Sequence, residues 1–152
     1  MRVASLEQLH LFRRGHKPAP VRAAPEFRFS CAFADLLRRS ASSEWWWMHY
    51  PAGEERTAKV DAEGRRFSPA GARLKRMGLK TGVADYLFIS PIGRTYALEL
   101  KRRDGGDLSG DQEKFRDWCR AHNVPWRVAR SFDQALEIVT AWGVLKHKVE
   151  PQ

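Results

Sequence analysis

The chain has 152 residues, 43% hydrophobic and 30% charged, the balance of one globular domain with a real core rather than of a disordered chain. Its formal net charge of +9 points to a polyanionic partner, nucleic acid first and an acidic membrane surface second. The two cysteines, Cys31 and Cys119, form no CxxC pair, which argues against a disulfide scaffold or zinc ribbon and suits a reducing cytoplasm; no run approaches the ~18 apolar residues of a membrane span, and the N-terminus has no secretion-signal pattern.

Residues 1–24 read as a basic arm with a short helix at 5–12, followed by the helix-breaking stretch R-R-G-H-K-P-A-P. Such a segment is either a phosphate-backbone contact or a solvated tail. Residues 25–39 read as a helix with Pro25 in its first turn; Phe29, Phe33, Leu36 and Leu37 fall on one face. Glu26 lies over the middle of that apolar stripe. Two readings stand for it: a first-turn acid favoured by the helix dipole, or a carboxylate aimed inward at a site. Residues 45–50, W-W-W-M-H-Y, read as a strand buried on both sides or at a sheet edge. Its tryptophans suit core packing better than base stacking, since alternate residues face opposite ways. His49 suits a hydrogen-bonded strand end better than a phosphate or metal contact.

Residues 51–67 read as a mobile loop. Ser68 and Pro69 then supply an N-cap and first helical residue, Gly78 closes the helix, and Ala70, Leu74 and Met77 make its apolar face. Arg56, Lys59, Arg65, Arg66, Arg73, Lys75, Arg76 and Lys80 face only Asp61 and Glu63 in this region. Most of the chain's surplus charge is therefore concentrated just upstream of an unusual hairpin, as a path for a phosphate backbone requires. Arg102 and Arg103, which follow that hairpin, extend the set of candidate nucleic-acid contacts.

The hairpin runs from Val83 to Lys101, with strands expected over 83–90 and 94–101. Asp85, Glu99 and Lys101 lie inside strands that otherwise read as core, where an unpaired charge is costly. Pro91 and Ile92 suit a type I turn and Gly93 a left-handed bulge residue, which together make a three-residue loop. Ser90 then opposes Arg94, and Asp85 falls directly across from Glu99. A two-residue loop would put those carboxylates on opposite faces. Glu99 and Lys101 share a face by strand periodicity. Opposed carboxylates repel, and a hard divalent cation such as Mg²⁺ resolves that repulsion more readily than a buried salt bridge to Lys101.

Past the hairpin, 109–122 reads as a helix with Phe115, Trp118 and Cys119 inward; 124–129 is a strand, reached by a strand–helix–strand crossover. A final helix opens at Ser131 with Phe132, Leu136, Val139 and Trp142 inward. Ser109-x-x-Gln112 and Ser131-x-x-Gln134 are capping boxes. The order is that of an α/β fold with a mixed sheet, a domain at 25–145 and a polar tail at 146–152.

Gly82-Val83-Ala84-Asp85 followed by Glu99-Leu100-Lys101 resembles the site of the PD-(D/E)XK nuclease superfamily, whose pattern is an acid at one strand and (D/E)-x-K on the next. The stretch 71–82 before the acid, and Leu108-Ser109-Gly110-Asp111-Gln112 after the lysine, resemble VRR-NUC domains of the stand-alone phage and bacterial type. Ala84 stands where the family has proline, a difference of conformational preference rather than of chemical group. The resemblance, over about residues 26–142, implies a restriction-endonuclease-like core with a central mixed sheet flanked by helices. It also implies Mg²⁺- or Mn²⁺-dependent cleavage of DNA phosphodiester bonds, with branched or Holliday-junction DNA as the expected substrate, and a homodimer. The implied metal ligands are Asp85, Glu99, the Leu100 carbonyl and Glu26, with Gln112 contacting water or phosphate. Beside two carboxylates, Lys101 is better suited to orienting water and offsetting phosphate charge than to acting as a base. The alternative is a nucleic-acid-binding module on the same fold that does not cut; a basic face for an acidic protein ranks below both.

Overall fold

The computed structural model describes residues 25–51, 59–60, 62–64 and 66–146. The arm expected over 1–24, with its helix at 5–12, and residues 147–152 of the expected tail lie outside the described residues. The elements are α1 (Pro25–Ser40), β1 (Trp46–His49), β2 (Lys59–Val60), β3 (Arg66–Phe67), α2 (Pro69–Arg76), β4 (Tyr86–Ile89), β5 (Thr95–Leu100), α3 (Gly110–Ala121), β6 (Trp126–Ala129) and α4 (Phe132–Ala141). The segment read as a plain loop, 51–67, contains the small ribbon β2–β3, in which Lys59 opposes Phe67 and Val60 opposes Arg66.

The main sheet has the order β1-β4-β5-β6. Its first three strands are antiparallel, and β6 lies parallel to β5. A parallel neighbour requires a long crossover, which α3 supplies. The sheet is therefore mixed and flanked by helices, as the sequence order predicts.

The two faces of the sheet are unequal. On one, α1 brings Phe33, Leu36 and Leu37, and α4 brings Leu136 and Val139, against Tyr86, Phe88 and Leu98. Phe33 meets the Tyr86 ring edge-on at 5.0 Å. The Tyr86 hydroxyl donates to the Ser30 carbonyl at 3.0 Å and receives the Ser30 hydroxyl at 2.9 Å, so its burial leaves no unmet polar group. On the other face the buried residues are small, Ala84, Ala97 and Cys119, with Leu87, Phe115, Val124 and Trp126 around them. Small side chains let α3 approach the strands closely, which matters for the site it carries.

Of the two alternatives for the tryptophan strand, the structure takes the sheet edge: Trp45 and Trp47 join the larger core, while Trp46 is 67% exposed. Three expectations are corrected. The expected apolar face of α2 is not buried, with Met77 and Ala70 exposed and Gly71 the buried residue, because this short helix turns its glycine rather than its larger side chains inward. Trp118, expected inward on α3, is 53% exposed; the alanines of the sheet give α3 a narrow contact that Cys119 fills. At the start of α4, Ser131 caps Gln134, but the Gln134 side chain reaches back to the Arg130 N–H instead of closing a capping box.

The hairpin loop has the expected chemistry. Gly93 N–H donates to the Ser90 carbonyl, and Ser90 N–H to the Arg94 carbonyl, both at 2.8 Å; Gly93 has φ +77°. Pairs run from Ile89 opposite Thr95 to Tyr86 opposite Leu98. The strands are shorter than the expected 83–90 and 94–101, because the ladder stops at Tyr86. Beyond it, the Leu100 N–H goes to the Asp85 side chain at 2.8 Å. The Asp85 carbonyl is taken by Tyr50 N–H at 2.7 Å.

Two glycines with left-handed backbone make a paired prediction. A Cβ on Gly93 meets nothing, so Gly93→Ala should cost only the backbone strain, roughly 1–2 kcal/mol. A Cβ on Gly82, at φ +82°, would lie 2.3 Å from the Asp111 carbonyl carbon, so Gly82→Ala must push α3 away. Urea denaturation should show the Gly82 variant as clearly the less stable of the two.

Candidate active site

Continuing the β4–β5 register by one residue sets Asp85 opposite Glu99, both directed to the α3 face together with Leu87 and Ala97. Each carboxylate is held differently. Asp85 accepts the Leu100 N–H through Oδ2, closing the ladder with a side chain. Glu99 is only 3% exposed and receives the Gln112 amide at 2.5 Å. Burial, and then the nearby Asp85 charge, push the Glu99 carboxyl up to about 7, while Lys101 pulls it the other way.

Gln112 is the hub. Its Nε2 donates to Glu99, and its Oε1 accepts both Lys101 Nζ at 2.9 Å and the Ser109 N–H at 3.0 Å. The orientation of the amide follows from its neighbours, since the reversed amide would point donors at an ammonium and an N–H. The Ser109 hydroxyl meanwhile caps the Gln112 N–H, completing the capping box. One side chain thus starts α3 and ties Glu99 to Lys101, whose ammonium also lies 3.5 Å from Glu99 Oε1.

The surrounding loops fix these parts. Gly82 packs against the Asp111 backbone, and the Thr81 hydroxyl donates to the Asp111 carboxylate at 2.6 Å, so the segment before Asp85 is fastened to the first turn of α3. His49 Nδ1 donates to the Asp85 carbonyl at 2.9 Å, the strand-end role expected of it. Arg130 Nη1 donates to the Gly105 carbonyl at 2.7 Å and braces the loop between Lys101 and α3. Thr81 and Arg130 carried no signal in the sequence, because nothing local distinguishes a threonine or arginine that braces a distant loop. Gly82 was visible only as part of a motif, and its packing reason emerges in three dimensions.

Leu100 ends β5 with its N–H on Asp85. A strand residue's N–H and C=O point to the same edge, so its carbonyl lies on the Asp85 side. Glu26 is in the first turn of α1, but its side chain lies outside the described residues, and both readings of it stand. No group of three or more His, Cys, Asp or Glu side chains suited to a metal is present among the described residues. The donor set is two carboxylates pressed together and one backbone carbonyl. This is hard-oxygen chemistry with two like charges on one face, and it fits a divalent cation that completes its shell with water. Of the basic candidates, Arg73, Lys75, Arg76, Lys80, Arg102 and Arg103 are exposed. Arg56 and Arg65, and the side chains of Lys59 and Arg66, lie outside the described residues.

An acid ahead of one strand, Glu-x-Lys on its antiparallel neighbour, and a helix laid over both in a mixed sheet are the arrangement that the PD-(D/E)XK resemblance implies. No family model matches the chain, and no curated protein matches it. Among solved structures, one described as a VRR_NUC domain protein superposes with a TM-score of 0.51 at 16% identity, over 84% of this chain and 96% of its own. A second, described as a VRR_NUC domain, gives 0.46 at 17% identity, over 77% and 96%. The fold is that of a VRR_NUC domain.

The Glu99 shift yields a prediction for the metal-free protein. The folded chain holds this proton up to about 7, against 4.5 for an ordinary glutamate. Between those values the folded state binds more protons than the unfolded one, so stability is highest below the window and falls as pH rises through it. The full loss is on the order of 3 kcal/mol. Thermal melts in EDTA should show this decline, and Glu99→Gln should flatten it by removing the titration.

Proposed function

We propose that the protein is a metal-dependent nuclease that hydrolyses phosphodiester bonds in DNA, with branched or junction DNA as its substrate. The observation that carries this reading is the meeting on one face of Asp85, Glu99 and Lys101, with Gln112 bonded to the last two. A fold of this type alone does not assign an activity. The repulsive acid pair and the lysine beside it are a costly arrangement for a scaffold and a useful one for phosphoryl chemistry.

Asp85, Glu99 and the Leu100 carbonyl would hold Mg²⁺ or Mn²⁺, with Glu26 joining directly or through water. The bound cation supplies a water of lowered pKa and polarises the phosphoryl oxygens. Lys101 orients the attacking water and offsets charge that builds on the phosphate. Gln112 keeps Glu99 and Lys101 in register, and its position in the first turn of α3 brings the positive end of the helix dipole near the phosphate. The exposed cations of α2 and the residues after it, with Arg102 and Arg103, carry the flanking backbone. On a four-way junction a homodimer would present two such sites to two strands.

Purified protein should be incubated with duplex, single-stranded and branched DNA in Mg²⁺, Mn²⁺ or EDTA. Cleavage should require the cation. Asp85→Asn and Lys101→Ala should each lower it at least about 10³-fold while circular dichroism stays native, and Gln112→Ala should lower it about 10- to 100-fold as the loss of an orienting contact does. Undiminished metal-dependent cleavage by the Asp85 or Lys101 variant would overturn the site. Salt-sensitive binding with no cleavage of any substrate would favour the non-cutting module instead.

A further inference from the structure

The catalytic reading gives the lysines of one surface a phosphate backbone to carry but leaves its apolar walls and the rings beside them without a task. The end of α2, the segment 79–83 and the first turns of α3 enclose an open groove of about 480 Å³. Lys75, Lys80 and Lys114 bring ammonium groups to it, and Leu79, Val83 and Phe115 give it apolar walls. Asp111 also lines the groove, but its carboxylate is engaged by Thr81 at 2.6 Å and lies 3.5 Å from Lys114, so the lysines outnumber the acid.

From Phe115 a series of flat rings continues along α3. Trp118 lies 6.5 Å from Phe115 with the two planes 8° apart, and His122 lies 4.3 Å from Trp118 at 18°. The spacing i, i+3, i+7 keeps all three on one side of the helix. His122 Nδ1 donates to the Trp118 carbonyl at 2.8 Å, which fixes the imidazole against the indole. Trp118 remains more than half exposed, so this ladder is not explained by the core.

We propose that the groove and the ladder together bind an unpaired strand of nucleic acid and lead it to Asp85, Glu99 and Lys101. Lysines along a groove take successive phosphates, and exposed aromatic rings take bases whose own faces are free; a duplex hides the base faces in its stack. The direction comes from connectivity. The groove wall at Val83 lies two residues before Asp85, and Asp111 immediately precedes Gln112. The inference rests on the nuclease reading for its destination, and it narrows the substrate to DNA with an unpaired segment beside the cut, such as a flap or an open junction arm.

The test uses the full chain in EDTA, with a fluorescein-labelled blunt duplex and the same duplex carrying a single-stranded tail of about ten nucleotides, in the range such grooves cover. Anisotropy should show the tailed DNA bound at least about fivefold more tightly. Trp118→Ala should erase that preference, Trp118→Phe should keep most of it, and melts should confirm that both variants fold. Lys80→Ala should reduce the salt slope for the tail by about 0.7. Equal affinity of the wild type for both DNAs, or a tail preference that survives Trp118→Ala, would overturn the proposal. So would a Trp118→Ala change that dissolves a dimer and leaves the preference intact, since a second copy would then own this face. Cleavage without tail preference strikes this inference alone; tail preference without cleavage in Mg²⁺ or Mn²⁺ strikes the nuclease reading alone.

Discussion

Two carboxylates facing each other across a β-hairpin set the terms for the rest of the molecule. Asp85 and Glu99 are opposed because the loop at Pro91, Ile92 and Gly93 has three residues rather than two. Left bare, such a pair would push the strands apart or capture protons. The protein answers each acid from a different direction: a backbone N–H from Leu100 for Asp85, and a side-chain amide from α3 for Glu99. Lys101 adds a cation but shares it with Gln112, so the trio is balanced without being neutralised. Burial first, and the Asp85 charge second, raise the Glu99 carboxyl.

The unequal faces of the sheet follow a division of labour. The aromatic and aliphatic bulk lies with α1 and α4, where Phe33, Tyr86 and Phe88 are fully buried and each large side chain is worth several kcal/mol against truncation. The α3 face has only small buried residues and the charged group. Stability is supplied on one side so that the other can tolerate a buried acid and an exposed indole. No helix among the described residues is long and apolar enough to cross a membrane.

Much of this was legible in the residues, for identifiable reasons. The face of α1 at Phe33, Leu36 and Leu37 followed from helical period alone. The hairpin register followed from Gly93, because a left-handed position demands a residue without Cβ strain. The dual part of Gln112 was visible as a capping box whose neighbourhood depended on the fold. What escaped were features that depend on how much of a surface a neighbour covers. Trp46, Met77 and Trp118 look like core residues by chemistry, yet a neighbour covers each of them too narrowly to bury it. The ribbon β2–β3 escaped because two-residue strands leave no alternation to detect. Asp85 lies outside the strand expected to contain it, since an aspartate can end a ladder with its own side chain as well as extend it.

The shared use of Gln112 has a consequence for when the site can exist. The same amide that links Glu99 to Lys101 also receives the N-cap N–H of α3, and Gly82 presses the loop carrying Asp85 against that same first turn. Fraying α3 by one turn therefore releases the side-chain link between Glu99 and Lys101 and the brace on the approach to Asp85 at once. A partly folded chain emerging from synthesis, or one beginning to unravel, is disarmed by the loss of a single helix start. If the trio cuts phosphodiesters as proposed, that coupling makes the completed fold its own safety catch.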